Sequence, residues 1–168
     1  SREYAITRNG SVGLDVKNNS KPELRELNEL LMPSFDQMFN MDYDSPFAST
    51  YLDGIRHSQA QHEIFKAAID NVRPTTSIAG RDNQVSELAG QLQMVARAIA
   101  AGPALGMQQQ TFFVRYIGWD HHSELLNKHD EMLTILDDAL SAFQETLAEL
   151  GVEDRVVTFT GSDFGRSL

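Results

Sequence analysis

Apolar residues recur along most of this chain at intervals of three and four, the spacing that lines one face of an α-helix. Leu24, Leu27, Leu30, Leu31, Phe35 and Met38 set the first such stripe. Ser20 stands as its N-cap and Pro22 lies in its first turn, both residue types that favour a helix start. Pro33 falls inside the stripe, where its missing N–H should kink or split the helix. After a loop at 42–46, a second helix is expected from Pro46 to about Val72. Its inner side is Phe47, Tyr51, Ile55, His62, Phe65 and Ile69. Arg73-Pro74-Thr75-Thr76 ends it, and residues 77–82 read as a polar connection. Met32, Met38 and Met41 read as core filler. Ahead of all this, residues 1–20 are polar and rich in turn signals, with a short strand near Tyr4–Thr7.

From Gln84 the pattern sharpens. Val85, Leu88, Leu92, Val95 and Ile99 mark an Ala-rich amphipathic helix, stopped by Gly102-Pro103 with Gly102 just past its end. The period then changes. Gln110–Ile117 is a β-branched and aromatic run, which predicts a strand. Gly118-Trp119-Asp120-His121-His122 is a loop. Ser123 should cap a long helix to about Leu150, carried by Leu126, His129, Leu133, Leu136, Leu140, Phe143 and Leu147. His129 on that stripe reads as a structural histidine. Gly151 closes the helix, Arg155–Thr160 predicts a second strand, and 161–168 is loop.

Two strands joined by a long helix make a βαβ unit, and such strands run parallel with a right-handed crossover. The expectation is therefore an α/β fold, a parallel sheet flanked by helices, with a mainly helical N-terminal half. Residues 83–168 would be the α-β-α-β core, and residues 1–82 a helical cap or insertion. A length of 168 residues suits one domain. The chain stops at Gly165-Arg166-Ser167-Leu168 directly after a strand and a glycine loop, which reads as a partial domain.

Composition narrows the functions. There are 14 Lys+Arg against 24 Asp+Glu, a formal charge of −10, so a broad basic surface for nucleic acid is excluded. No apolar run approaches the roughly 20 residues of a bilayer span. Without cysteine, thiolate metal sites, disulfides and cysteine nucleophiles are excluded.

Ligands in open α/β sheets sit outside the carboxyl ends of strands. Asp120 and Asp163 each follow a predicted strand by three residues, and a βαβ unit would bring both loops to one edge. The first loop adds His121 and His122. Oxygen and nitrogen donors of this kind suit zinc, manganese or a similar divalent ion. Asp120 with Ser123 equally suits a helix cap, and Asp163 a turn. Arg166 could bind an anion beside Asp163, or be a solvated loop residue. Ser162 directly follows Gly161, so the run is not a serine-hydrolase elbow.

The run Leu88–Gly102, the motif Gly118-Trp119-Asp120-His121-His122, the helix with Leu136-Asp137-Asp138-Ala139-Leu140, and Val156–Arg166 with Ser162-Asp163-Phe164-Gly165-Arg166 together resemble domain-of-unknown-function family 1501. That family looks like a distant branch of the alkaline phosphatase and sulfatase superfamily, whose members bind divalent metals at strand ends and hydrolyse phosphate or sulfate esters. The resemblance implies an incomplete alkaline phosphatase-like fold and places Asp120, His122 and Asp163 as metal ligands. His121, Ser162 and Arg166 are additional candidates. It implies a divalent metal (zinc, manganese or calcium), a small anionic ester as substrate, and an exported, periplasmic protein. His121 stands where the family usually has Thr, and Phe164 where the hydrolytic superfamily often has a ligand His. The readings that follow are a metal-dependent ester hydrolase, a non-catalytic exported or surface-associated binding protein that keeps the fold, and a helical interaction module whose first-half helices present a partner groove.

Overall fold

A computed structural model of the protein describes residues 6–7, 10–11, 22–76, 78 and 87–162. The elements, in order, are β1 (Ile6–Thr7), β2 (Gly10–Ser11), α1 (Pro22–Phe39), α2 (Pro46–Asp70), α3 (Glu87–Ala101), α4 (Leu125–Glu149) and a 3-10 turn at Glu153–Arg155. β1 and β2 pair antiparallel with Ile6 opposite Ser11 and Thr7 opposite Gly10, and this ribbon lies against α2 and α3.

The architecture is helical. Among the described residues the β1–β2 ribbon is the only hydrogen-bonded sheet, which overturns the expected α/β fold with a parallel sheet flanked by helices. Neither Gln110–Ile117 nor Arg155–Thr160 is a strand. Within the first, Phe112, Val114 and Tyr116 are half-buried while Thr111, Phe113, Arg115 and Ile117 are exposed. That alternation is the period of two the sequence announced, but a strand also needs a neighbour's backbone, and among the described residues none pairs with it. In the second, Val156 is half-buried, and Val157 and Phe159 face solvent.

The core has two parts, and α3 belongs to both. On one side Leu88, Leu92 and Ala96 pack with Ile78, Ala139, Phe143, Leu147 and Val152. On the other, Met94, Ala98 and Ala101 pack with Phe65, Ile69 and Leu105. Small side chains on α3 let helices close in from both directions, because alanine adds little radius. Arg97 reinforces the second side. Its Nε donates to the Val72 carbonyl at 3.1 Å and its Nη2 to the Ile69 carbonyl at 2.9 Å, which ties α3 to carbonyls in the last turn of α2 and just past it.

Helix ends differ in detail from expectation. α1 runs unsplit through Pro33; Glu29 and Pro33 are both exposed, so water can serve the carbonyl that loses its partner. Ser123 is not the cap of α4, whose N-cap is Glu124, in a left-handed conformation with φ 53°. Gly102 does not take the left-handed position after α3; the chain turns on to Gly106, at φ 66°. At the far end of α4 the expected glycine closure holds. Gly151, at φ 65°, donates to Ala148 at 3.0 Å and Val152 donates to Leu147 at 3.0 Å, the paired bonds of a Schellman motif. Ser20, Val85 and the polar stretch 79–82 lie outside the described residues.

The covered stripes are shorter than the periodicity predicts. On α2 the expected inner stripe is covered only in its later part: Phe65 and Ile69 are in the core, while Phe47 is 88% and Tyr51 70% exposed, and the buried residue of the first turns is Leu52, off that stripe. On α4 the buried run starts near Ala139, and Leu126 and Leu133 are exposed. Met38 and Met41 are exposed rather than core filler. Helical periodicity locates an apolar face; it does not say that the face is covered.

Candidate functional site

The loop at 118–124 joins the unpaired segment 111–117 to α4. Gly118 opens it at φ 105°, a conformation that glycine accepts freely. Trp119 then turns inward. Its ring meets Tyr116 edge-on at 5.4 Å and His129, from the first turns of α4, at 5.5 Å. His121 follows it inward, with its ring 5.7 Å from that of His129. The His121 amide donates to the Trp119 carbonyl at 3.1 Å. His129 is thus half-buried within a ring cluster, consistent with a structural role.

The residues between point the other way. Asp120 and His122 are both exposed, and His122 Nε2 lies 3.3 Å from Asp120 Oδ2. Their side chains are 90% and 88% open to solvent. A pair this exposed is worth roughly 0–1 kcal/mol, so little holds either group to the other if a better partner arrives. One carboxylate oxygen and one imidazole nitrogen, side by side on an exposed loop, are donors that fit a zinc- or manganese-type ion.

Two of the sequence candidates are therefore together. His121 sits in the same loop but is turned into the ring cluster, and its Nε2 is buried without a hydrogen-bond partner among the described residues. Ser162 is exposed at the end of the second unpaired segment. Asp163, Phe164 and Arg166 lie outside the described residues. Among the described residues no group of three or more His, Asp or Glu side chains is placed to hold a metal ion.

Burial pushes the Tyr116 phenol above its ordinary value, with the nearby Glu131 charge acting in the same direction. It is therefore a neutral hydroxyl at neutral pH. The sequence did not flag Tyr116 and Trp119 as companions of His129, although their spacing of three and the histidine on an apolar stripe were both visible.

A second polar contact had no local signal at all. Glu149, at the end of α4, accepts the Thr75 N–H at 2.6 Å, the Thr75 hydroxyl at 2.7 Å and the Thr76 N–H at 2.8 Å. These donors hold its carboxyl down to about 2.

The structure thus defines a helical protein with an exposed aspartate–histidine loop at the start of its last long helix. The chain belongs to the family described as "Protein of unknown function (DUF1501)", whose model matches residues 6–168. No curated protein and no solved structure matches the chain. Among the described residues no helix is long and apolar enough to cross a membrane.

Proposed function

We propose that this chain contributes a divalent-metal site to a hydrolase acting on phosphate or sulfate esters. The observation that carries the reading is the Asp120–His122 pair, two metal-type donors 3.3 Å apart on a loop braced from within by Trp119. Asp120 Oδ2 and His122 Nε2 would be two ligands, and Asp163 a third. Arg166 would hold the anionic part of the ester. A divalent ion in such a site polarises the ester oxygen as a Lewis acid. Trp119 acts as a positioning residue, because its ring contacts fix which way the loop faces. The family resemblance of the Gly-Trp-Asp-His-His and Ser-Asp-Phe-Gly-Arg motifs also supports export to the periplasm.

The test is calorimetric titration of zinc and of manganese into the protein, its Asp120→Ala variant and its Asp163→Ala variant. Each substitution should weaken binding about tenfold or more, since even residues behind a metal ligand cost that much. Metal-dependent turnover of p-nitrophenyl phosphate or sulfate should be lost in the same variants. Absent stoichiometric binding, or binding that is equal in all three proteins, ends the metal reading. The non-catalytic binding protein would then stand in its place, a reading that Phe164 at a superfamily histidine position favours.

A further inference from the structure

The loop that carries Asp120 and His122 is held from α4 more than by its own backbone. Among the described residues it makes one internal main-chain hydrogen bond, from the His121 N–H to the Trp119 carbonyl at 3.1 Å. α4 then starts without a side-chain cap, and its N-cap Glu124 sits at φ 53°. A residue with a side chain keeps that left-handed conformation only where surrounding contacts hold it.

Those contacts converge on one side chain. Along 119–122 burial alternates: Trp119 and His121 are half-buried, Asp120 and His122 exposed. Both half-buried rings close on His129 of α4, Trp119 edge-on at 5.5 Å and His121 at 5.7 Å, with interplanar angles of 79° and 73°. Trp119 in turn meets Tyr116 at 5.4 Å, and Tyr116 packs against the cluster shared by α3 and α4. Asp120 stands between the two inward rings in sequence, so seating them leaves its carboxylate pointing outward, where Oδ2 lies 3.3 Å from His122 Nε2. A leucine at 129 would fill the same stripe but could not offer the edge-to-face geometry that rings prefer.

We propose that His129 is the positioning residue of the Asp120–His122 pair. It seats Trp119 and His121 together, and through them it fixes the loop in the arrangement that sets the two donors side by side. Its effect on metal affinity rests on the divalent-metal reading above; its hold on the loop does not.

Trp119 is the only tryptophan of the chain, so its fluorescence reports this loop alone. Two variants frame the test: His129→Leu, a good helix former without a ring, and His129→Phe, which restores a ring. In His129→Leu, acrylamide should quench Trp119 more strongly and the emission should move to the red. In His129→Phe both should return towards the parent. Calorimetric titration of zinc and manganese should show affinity falling about tenfold in His129→Leu, the scale of a residue that orients a ligand without touching the metal, and recovering in His129→Phe. A purely space-filling His129 would lower the urea midpoint and leave Trp119 quenching and metal affinity of the folded protein unmoved, which would overturn the proposal. Failure of His129→Phe to recover would overturn it too, because ring contact would then not be what matters. If the parent binds neither metal, the metal reading fails on its own, and Trp119 quenching still decides whether His129 holds the loop. Should His129→Leu not fold, His121→Ala cuts one of the two contacts from the loop side, and unchanged Trp119 quenching there would count equally against the proposal.

Discussion

Glu149 joins two parts of the chain that are 74 positions apart. Its carboxylate is fully exposed, yet it is held from an ordinary value of 4.5 down to about 2, chiefly by the Thr75 amide and then by the Thr76 and Thr75 donors. A depressed carboxylate stabilises the folded state above its unfolded pKa and ceases to do so as pH falls through the folded one. The window is therefore between pH 4.5 and about 2. Thermal melts of the protein and of Glu149→Gln should differ most above pH 4.5 and converge towards pH 2. Parallel pH profiles would show that Glu149 does not anchor the 71–78 connection. Nothing in the residues around Glu149 or Thr75 announces this contact, since hydrogen bonds across such a separation leave no periodic trace.

The same contrast between local and distant information separates the elements. The end of α4 is written locally: Gly151 adopts φ 65°, and among the described residues nothing lies within 4 Å of where a Cβ would stand. Gly151→Ala should therefore cost only the left-handed backbone penalty, about 1–2 kcal/mol. The expected result is a lower urea midpoint with an unchanged m value. Helices α1 to α4 were legible for this reason: period, proline starts and glycine stops all act within one segment. Segments 110–117 and 155–160 were not, because a strand exists only when a second backbone accepts its hydrogen bonds. Phe112, Val114 and Tyr116 kept the alternation and lost the ladder. The site was legible in part for the same reason. Asp120 and His122 share one loop and stand together, whereas their relation to Asp163 depended on a sheet that the described residues do not form.

At the scale of the molecule, α3 is the wall between two clusters, and its alanines set the distance on each side. Ala98 is fully buried and faces Phe65, Ile69 and Leu105, while Ala96 faces the α4 side. Added methylenes in a packed core force side chains off their rotamers and typically cost about 1–3 kcal/mol. Ala98→Leu should show that loss, and Leu126→Ala on the exposed start of α4 should stay within about 0.5 kcal/mol of the parent. The direction of the damage is the sharper test. Ala98 lies next to Arg97, whose guanidinium holds the Ile69 and Val72 carbonyls, so pushing α2 away should weaken that hold as well. Hydrogen exchange of the last α2 amides should quicken in Ala98→Leu. The amides near Phe143 and Leu147 on α4 should keep their protection, because Leu92 and Ala96 still pack there. Uniform loss of protection along α2 and α4 would mean that the two clusters open as one unit and that α3 does not divide them.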